Sequence, residues 1–355
     1  SFKRLVADYP SSSTAKEAIT NARSVYVDIG SVASYATWLE TLSFVNVSSS
    51  ALDSTSYESA ELQYLKGDNA NAYSNFLSYL QNYPEGAFLL PAHYYLAKSA
   101  TEIDSLDQAI ASYEYINSAN SNKFSQSSIK ESALLYMSFQ QYSSALIKFE
   151  KLDLIAETVE EQLYAKQGLM DCYYELGAFD KAIEQAEIVL NSGRVDESLI
   201  LELNTFIARS AFLNLDLNTA REKYTIIELK SQGDLKAEAM YHLAYAAFYS
   251  GDYEVSKKII FEQSRLLPRY KNWLGKSFVI LARNYVVEED VFQAIHTLDQ
   301  LLLNLEDQSI LKSAKSLKAE IMANENSVVE LSLDLDLTAP SDDTIQIDSL
   351  KLIEK

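Results

Sequence analysis

The stretch Ala237-Glu238-Ala239-Met240-Tyr241-His242-Leu243-Ala244-Tyr245-Ala246-Ala247-Phe248-Tyr249-Ser250-Gly251-Asp252-Tyr253 decides the fold. Met240, Leu243, Ala244 and Ala247 fall at i, i+3, i+4 and i+7, which is one face of an α-helix. Gly251-Asp252 then breaks the pattern: glycine supplies a left-handed C-cap, and aspartate an N-cap for the next helix. Ser256, Ile259, Ile260 and Gln263 continue on a second helix, and Pro268 closes the unit, since proline cannot extend the helix it follows.

The unit repeats along the chain. Small residues recur at Ala72, Ala109, Ala145, Ala182, Ala220, Ser256 and Ala294, with gaps of 36–38 residues. Twelve residues before each stands Ala60, Ala97, Ala133, Met170, Ala208, Ala244 or Ala282. A residue at a helix crossing must be small if the axes are to approach within about 8–10 Å. Two such positions twelve apart predict the two contact points of a helical hairpin, and self-similarity at this period predicts a repeat solenoid.

The residues at this point resemble the tetratricopeptide (TPR) repeat, a 34-residue helix–turn–helix with a small residue in each helix and a proline near its end. The best matches are residues 53–86, 163–196 and 237–270, with Gly67-Asp68, Gly177-Ala178-Phe179-Asp180 and Gly251-Asp252-Tyr253 at the turn. Four residues after the second small residue come Phe76, Tyr113, Phe149, Ala186, Tyr224, Ile260 and Leu298. The spacing exceeds the family's by two to four residues. Ser56, His93, Ile129, Lys166, Asn204, Met240 and Phe278 stand where its tryptophan is expected. The expected architecture is all-α: a solenoid of about eight TPR-like hairpins over residues 1–323, forming a superhelix, with residues 308–323 as a C-terminal capping helix. The units start near 16, 53, 90, 126, 163, 201, 237 and 275. Asn82-Tyr83-Pro84-Glu85-Gly86, followed by Ala92-His93-Tyr94-Tyr95-Leu96-Ala97, is similar to long-spaced TPR proteins of the bacterial cell envelope, including outer-membrane assembly lipoproteins and cell-division coordinators. That resemblance implies a periplasmic or outer-membrane-associated location. Phe2, Leu5, Val6, Tyr9 and Pro10 read as the end of a second helix, so a longer N-terminus is expected.

Composition narrows the function. The net charge of −20 opposes nucleic acid and anionic membrane surfaces as partners. No stretch approaches the ~18–20 apolar residues that span a bilayer. The single cysteine, Cys172, excludes an internal disulfide framework and reads as a packed core thiol. His93, His242 and His296 fall in three different repeats without ligand spacing, so no metal site and no cofactor is expected. Neither a phosphate-cradling glycine loop nor a nucleophile elbow is present. Glu160-Glu161 and Glu288-Glu289 read as solvated helix ends. The chain is expected not to be an enzyme.

Residues 324–355 differ from the rest. Leu331, Leu333, Leu335 and Leu337 alternate with Ser332, Asp334 and Asp336, a period of two. Acids outnumber lysines there. The segment reads either as a disordered acidic tail or as an extended segment that adds to a groove, with one apolar and one solvated edge.

A TPR-like solenoid would point the fifth, ninth and twelfth residues of each first helix inward. That row is aromatic, and its basic residues outnumber its acids in an acidic protein. Tyr94, Lys98, Arg209, Phe212, Tyr241, Tyr245, Phe248 and Arg283 are therefore the candidate partner-binding residues, since rigid aromatics and desolvated arginines make hot spots. The expected function is a non-enzymatic scaffold that binds a segment of another protein on its concave face. Two alternatives stand beside it: an accessory domain of a larger secretion machine or enzyme lying upstream, and self-assembly or self-regulation through the chain's own acidic tail.

Overall fold

The computed structural model describes residues 2–10, 12–45 and 48–323. Every regular element among them is an α-helix. The chain divides into two compact units, one ending at Glu161 and the other beginning at Gln162.

In the first unit, α1 (Phe2–Asp8) packs on α2 (Ser13–Asp28), burying Val6. The hairpins are α2 with α3 (Val32–Glu40), α4 (Ser49–Leu65) with α5 (Asn69–Asn82), α6 (Leu89–Glu102) with α7 (Leu106–Ser118), and α8 (Ser125–Ser138) with α9 (Tyr142–Ile155). In the second unit they are α10 (Val159–Glu175, entering from the first unit's last residues) with α11 (Phe179–Leu190), α12 (Glu197–Leu213) with α13 (Leu217–Lys230), α14 (Gly233–Tyr249) with α15 (Tyr253–Leu266), and α16 (Lys271–Val287) with α17 (Val291–Asn304). The described residues thus hold the eight hairpins that the spacing predicts. Helix α18 (Gln308–Ala323) closes the second unit.

The small positions are where helices meet. Ala60, Ala97, Ala133, Met170, Ala208, Ala244 and Ala282 are buried, and so are Ala72, Ala109, Ala145, Ala182, Ala220, Ser256 and Ala294. One turn beyond the second set, Phe76, Tyr113, Phe149, Tyr224, Ile260 and Leu298 fill the space that the small residues leave. Each such side chain contributes about 1.5–3 kcal/mol by leaving water. Since each hairpin buries this face only against its neighbours, stability is a sum of local interfaces.

All eight turns are built alike. In α4/α5 the Asp68 N–H donates to the Gln63 carbonyl at 3.0 Å, with Gly67 at φ 76°. The same bond, five residues back, is made by Ser31, Ser105, Gln141, Ala178, Asp216, Asp252 and Asp290. The residue before each has positive φ: Gly30, Gly177 and Gly251, but also Asp104, Gln140, Leu215 and Glu289. This is the Schellman closure of a helix end. The repeat frame imposes it even where a side chain makes the left-handed backbone cost about 1–2 kcal/mol, so glycine marks only half of the turns.

Asp252 sits at the expected N-cap, yet its side chain makes no capping hydrogen bond and faces Arg221 at 3.8 Å. Asp68, Asp216 and Asp290, at the equivalent turns, do cap their helices.

Helix α18 packs on α16 and α17 through buried Ile310, Ala314, Leu317 and Ile321. Lys318 reaches Asp299 at 2.5 Å, while Lys312 and Lys315 face solvent. This is the terminal helix with a polar outer side that an end repeat requires. The acidic tail expected over residues 324–355 lies outside the described residues. No helix among the described residues is long and apolar enough to cross a membrane.

Candidate functional site

Position nine of the first helix shows what the site is made of. In the first unit Lys98 holds this position on α6, and its Nζ donates to Glu131 Oε1 on α8 at 2.5 Å. Beside it the Tyr94 ring stacks on Phe124 at 4.6 Å, and its hydroxyl lies 3.0 Å from Ser127 Oγ. In the second unit Arg209 holds position nine on α12. Its guanidinium donates to both carboxylate oxygens of Glu238 on α14, at 2.6 and 2.5 Å. Tyr224 donates to the same carboxylate at 3.2 Å, and Glu238 is only 1% exposed. Hydrogen bonds to Glu238 outweigh burial and hold the Arg209 charge firmly in place.

Glu131 and Glu238 occupy positions six and two of the following first helix, one turn apart on one helix face. Each therefore reaches back to the cation of the preceding repeat. Reading positions five, nine and twelve of single helices overlooked them, so the expected basic excess of that row is smaller than its own residues imply. Lys98 and Arg209 are each neutralised by the neighbouring repeat.

A different arrangement lies between α14, α16 and α18. There a cavity of about 470 Å³ opens. The ninth-position residues facing it are Tyr245 and Arg283. Positions two and six of the following helices are Lys276 and Ile280 on α16, then Ser313 and Leu317 on α18, so no carboxylate stands at those places. Phe212, Tyr241, Tyr249 and Val279 complete the apolar wall, and Lys312 adds a cation at its edge. Glu320 is the one acid among the lining residues. The Tyr245 ring is 5% exposed and lies 4.4 Å from that of Tyr249. Its hydroxyl is shut away from solvent and makes no well-formed hydrogen bond, Tyr249 being the neighbour that comes nearest to one.

The structure thus brings Phe212, Tyr241, Tyr245 and Arg283 to one cavity. Arg209 is committed to Glu238. Phe248 packs edge-on against Tyr249 at 5.1 Å and beside Tyr253 at 5.6 Å, in the core and not at the cavity wall. Tyr94 and Lys98 belong to the first unit and to its own contacts. Sequence reasoning missed Lys276, Lys312 and Tyr249. The signal that could have found the first was the residue at position two of the next helix.

Other candidate chemistry is absorbed by packing. His242 stacks on Tyr224 at 4.4 Å, with Phe212, Tyr241 and Trp273 around it. Burial keeps its imidazole neutral well below the usual range, and Lys276 and Arg209 push the same way. His93 lies on Tyr115 at 3.8 Å, and burial lowers it to about 4. The Cys172 thiol is buried and pushed up to about 12, away from thiolate chemistry. A second, more apolar pocket of about 550 Å³ lies between α15, α16 and α17, lined by Phe261, Leu274, Phe278, Tyr285 and Leu301 among others. Its floor is Gly275, where a Cβ would come within 2.8 Å of Leu305.

No protein-family model and no curated protein matches the chain. Among solved structures, the chain is similar to the C-terminal part of a TPR repeat-containing protein from Cytophaga hutchinsonii, at 16% identity and TM-score 0.49, over 72% of this chain and 98% of that one. It is similar to a tetratricopeptide repeat protein from Parabacteroides merdae at 15% identity and TM-score 0.35, over 74% and 98%. It is also similar to the TPR2AB domain of yeast Sti1 in its pHSP90 complex, at 14% identity and TM-score 0.30, over 67% and 100%. With eight helix–turn–helix units, seven of them paired through buried crossing positions that are small at every place but Met170, the chain has a TPR-like, all-α solenoid fold.

Proposed function

We propose that this protein is a non-enzymatic scaffold that binds a segment of another protein in the cavity between α14, α16 and α18. The observation that carries this reading is the cavity of about 470 Å³ itself. Phe212, Tyr241, Tyr245 and Tyr249 wall it, and Arg283, Lys312 and Lys276, the last also lying over the Trp273 ring at 4.7 Å, stand among its lining residues. Rigid aromatic walls with a cation beside them are the material of binding hot spots. A peptide with apolar side chains and carboxylates would fill the apolar wall and bring acids near these cations. A bacterial envelope setting belongs to the same proposal and rests on the sequence resemblance at Asn82–Gly86; cell fractionation with an antibody to the chain tests it.

Site-specific photo-crosslinking from the native organism's lysate tests the binding reading. A crosslinker at Ser316, on the cavity edge, should trap a discrete protein adduct, and Lys276→Glu should abolish it. A crosslinker at Leu303, exposed on α17, serves as the control. Equal labelling from both positions would reject the cavity as the site.

A further inference from the structure

We propose that the apolar pocket between α15, α16 and α17 is a ligand site for a long-chain carboxylic acid. An unbranched hydrocarbon chain lies along α16, and its carboxylate meets Lys271. The site is on another face of α16 from the cavity shared with α14 and α18, and the two have no lining residue in common.

Shape selects the chain. The volume of about 550 Å³ is that of a small-molecule site. Lys271, Leu274, Phe278 and Tyr285 line it along nearly the whole of α16, a rise of about 21 Å. The mean section is therefore about 26 Å², against about 80–110 Å² for a helix with its side chains. A single hydrocarbon chain fits such a slot and a partner helix does not. An extended peptide would press backbone N–H and C=O groups against Phe261, Phe278 and Leu301, a desolvation cost that a hydrocarbon chain does not incur. Phe261 is 49% exposed, so apolar surface stays in water until a ligand covers it.

Charge selects the head group. The chain carries 50 acids, yet no carboxylate lines the pocket. Lys271 is the one lysine or arginine among the lining residues, at the end that Pro268 and Asn304 share. It is exposed and has no ion-pair partner among the described residues. The preceding repeat is different. There Lys236 of α14 reaches Glu228 Oε1 of α13 at 2.7 Å. Leu274 and Ser264 stand at the corresponding places in the last repeat, so the ionic bridge gives way to an apolar wall.

Isothermal calorimetry on the full chain, with fatty acids below their micellar concentrations, tests the site. One dodecanoate should bind per chain. Decanoate, two methylenes shorter, should bind about tenfold more weakly. Gln300→Trp, at an exposed position on the pocket wall, should abolish saturable binding. Lys271→Glu should weaken decanoate severalfold and leave decanol unchanged, and added salt should act in the same direction. Ser316→Trp, at the other cavity, should leave dodecanoate binding as it is. Circular dichroism melts confirm that the variants stay folded. Dodecanoate binding that is absent from the unaltered chain, or that survives Gln300→Trp, overturns the proposal. An equal response of decanoate and decanol to Lys271→Glu overturns it as well. A discrete protein adduct from a photo-crosslinker at Gln300, without any dodecanoate heat, gives the slot to a protein partner instead.

Discussion

Helices α6 and α8 in the first unit and helices α14, α16 and α18 in the second are built to one plan and end differently. In the first, a cation at position nine meets a carboxylate one repeat on, and a tyrosine at position five stacks on its neighbour. In the second, the same two positions on α14 and α16 are Tyr241, Tyr245, Val279 and Arg283, and the following helices offer Lys276, Ile280, Ser313 and Leu317. The fold accommodates this exchange because small crossing residues are buried in both places.

The largest expected effect separates the two rungs. Glu238→Ala leaves Arg209, and the Tyr224 hydroxyl, buried without their partner, and should cost about 3–5 kcal/mol in urea unfolding of the second unit. Glu131→Ala breaks a pair whose side chains are each 30% exposed and should cost no more than about 1 kcal/mol. Similar losses at both sites would erase the distinction drawn between a buried and a surface rung. Next, Ser316→Trp should occlude the cavity while changing stability by less than about 0.5 kcal/mol, since Ser316 faces solvent. With the crosslinker moved to Ser313, also on the cavity wall, loss of its photo-adduct together with an unchanged melt is the expected pair of results.

Acid should loosen both regions through their histidines. His93 and His242 have folded pKa values below the unfolded value of about 6.5. Above that value neither state is protonated and they contribute no pH dependence. Below it the unfolded chain takes up protons that the folded chain refuses, so stability falls as pH drops, for His93 down to about 4. His242→Gln should flatten the fall of melting temperature between pH 6.5 and 5, and a slope equal to that of the parent would show that His242 is protonated in the folded state. The smallest effect concerns the turns. Leu215→Gly relieves a left-handed residue at φ 62° that is half exposed, and should stabilise by up to about 1 kcal/mol. Gly251→Ala should do the reverse by a similar amount.

The lining of the cavity was half legible. Phe212, Tyr241, Tyr245 and Arg283 could be named because they occupy fixed positions on first helices, and helical phase is a local property. The fate of Lys98 and Arg209 was not legible in the same way, because it depends on carboxylates that lie 33 and 29 residues away and face them only after the repeats stack. Phe248 illustrates the same gap: position twelve gives its phase, but the buried cluster it joins with Ala208, Phe212, Ile280 and Leu281 makes it core. The turns at Asp104, Gln140, Leu215 and Glu289 were hidden for the opposite reason. Their sequence carries no glycine, and the hydrogen-bond frame of the hairpin overrides the local preference.

By itself the sequence determined the period, the hairpin and the crossing points, since a small residue every three dozen positions is a steric condition that each unit meets alone. Only the tertiary structure decided that Lys98 and Arg209 are neutralised, which aromatics are core, and where a cavity forms. Those outcomes belong to pairs of side chains on different helices, and a pair has no energy until packing brings its members within reach.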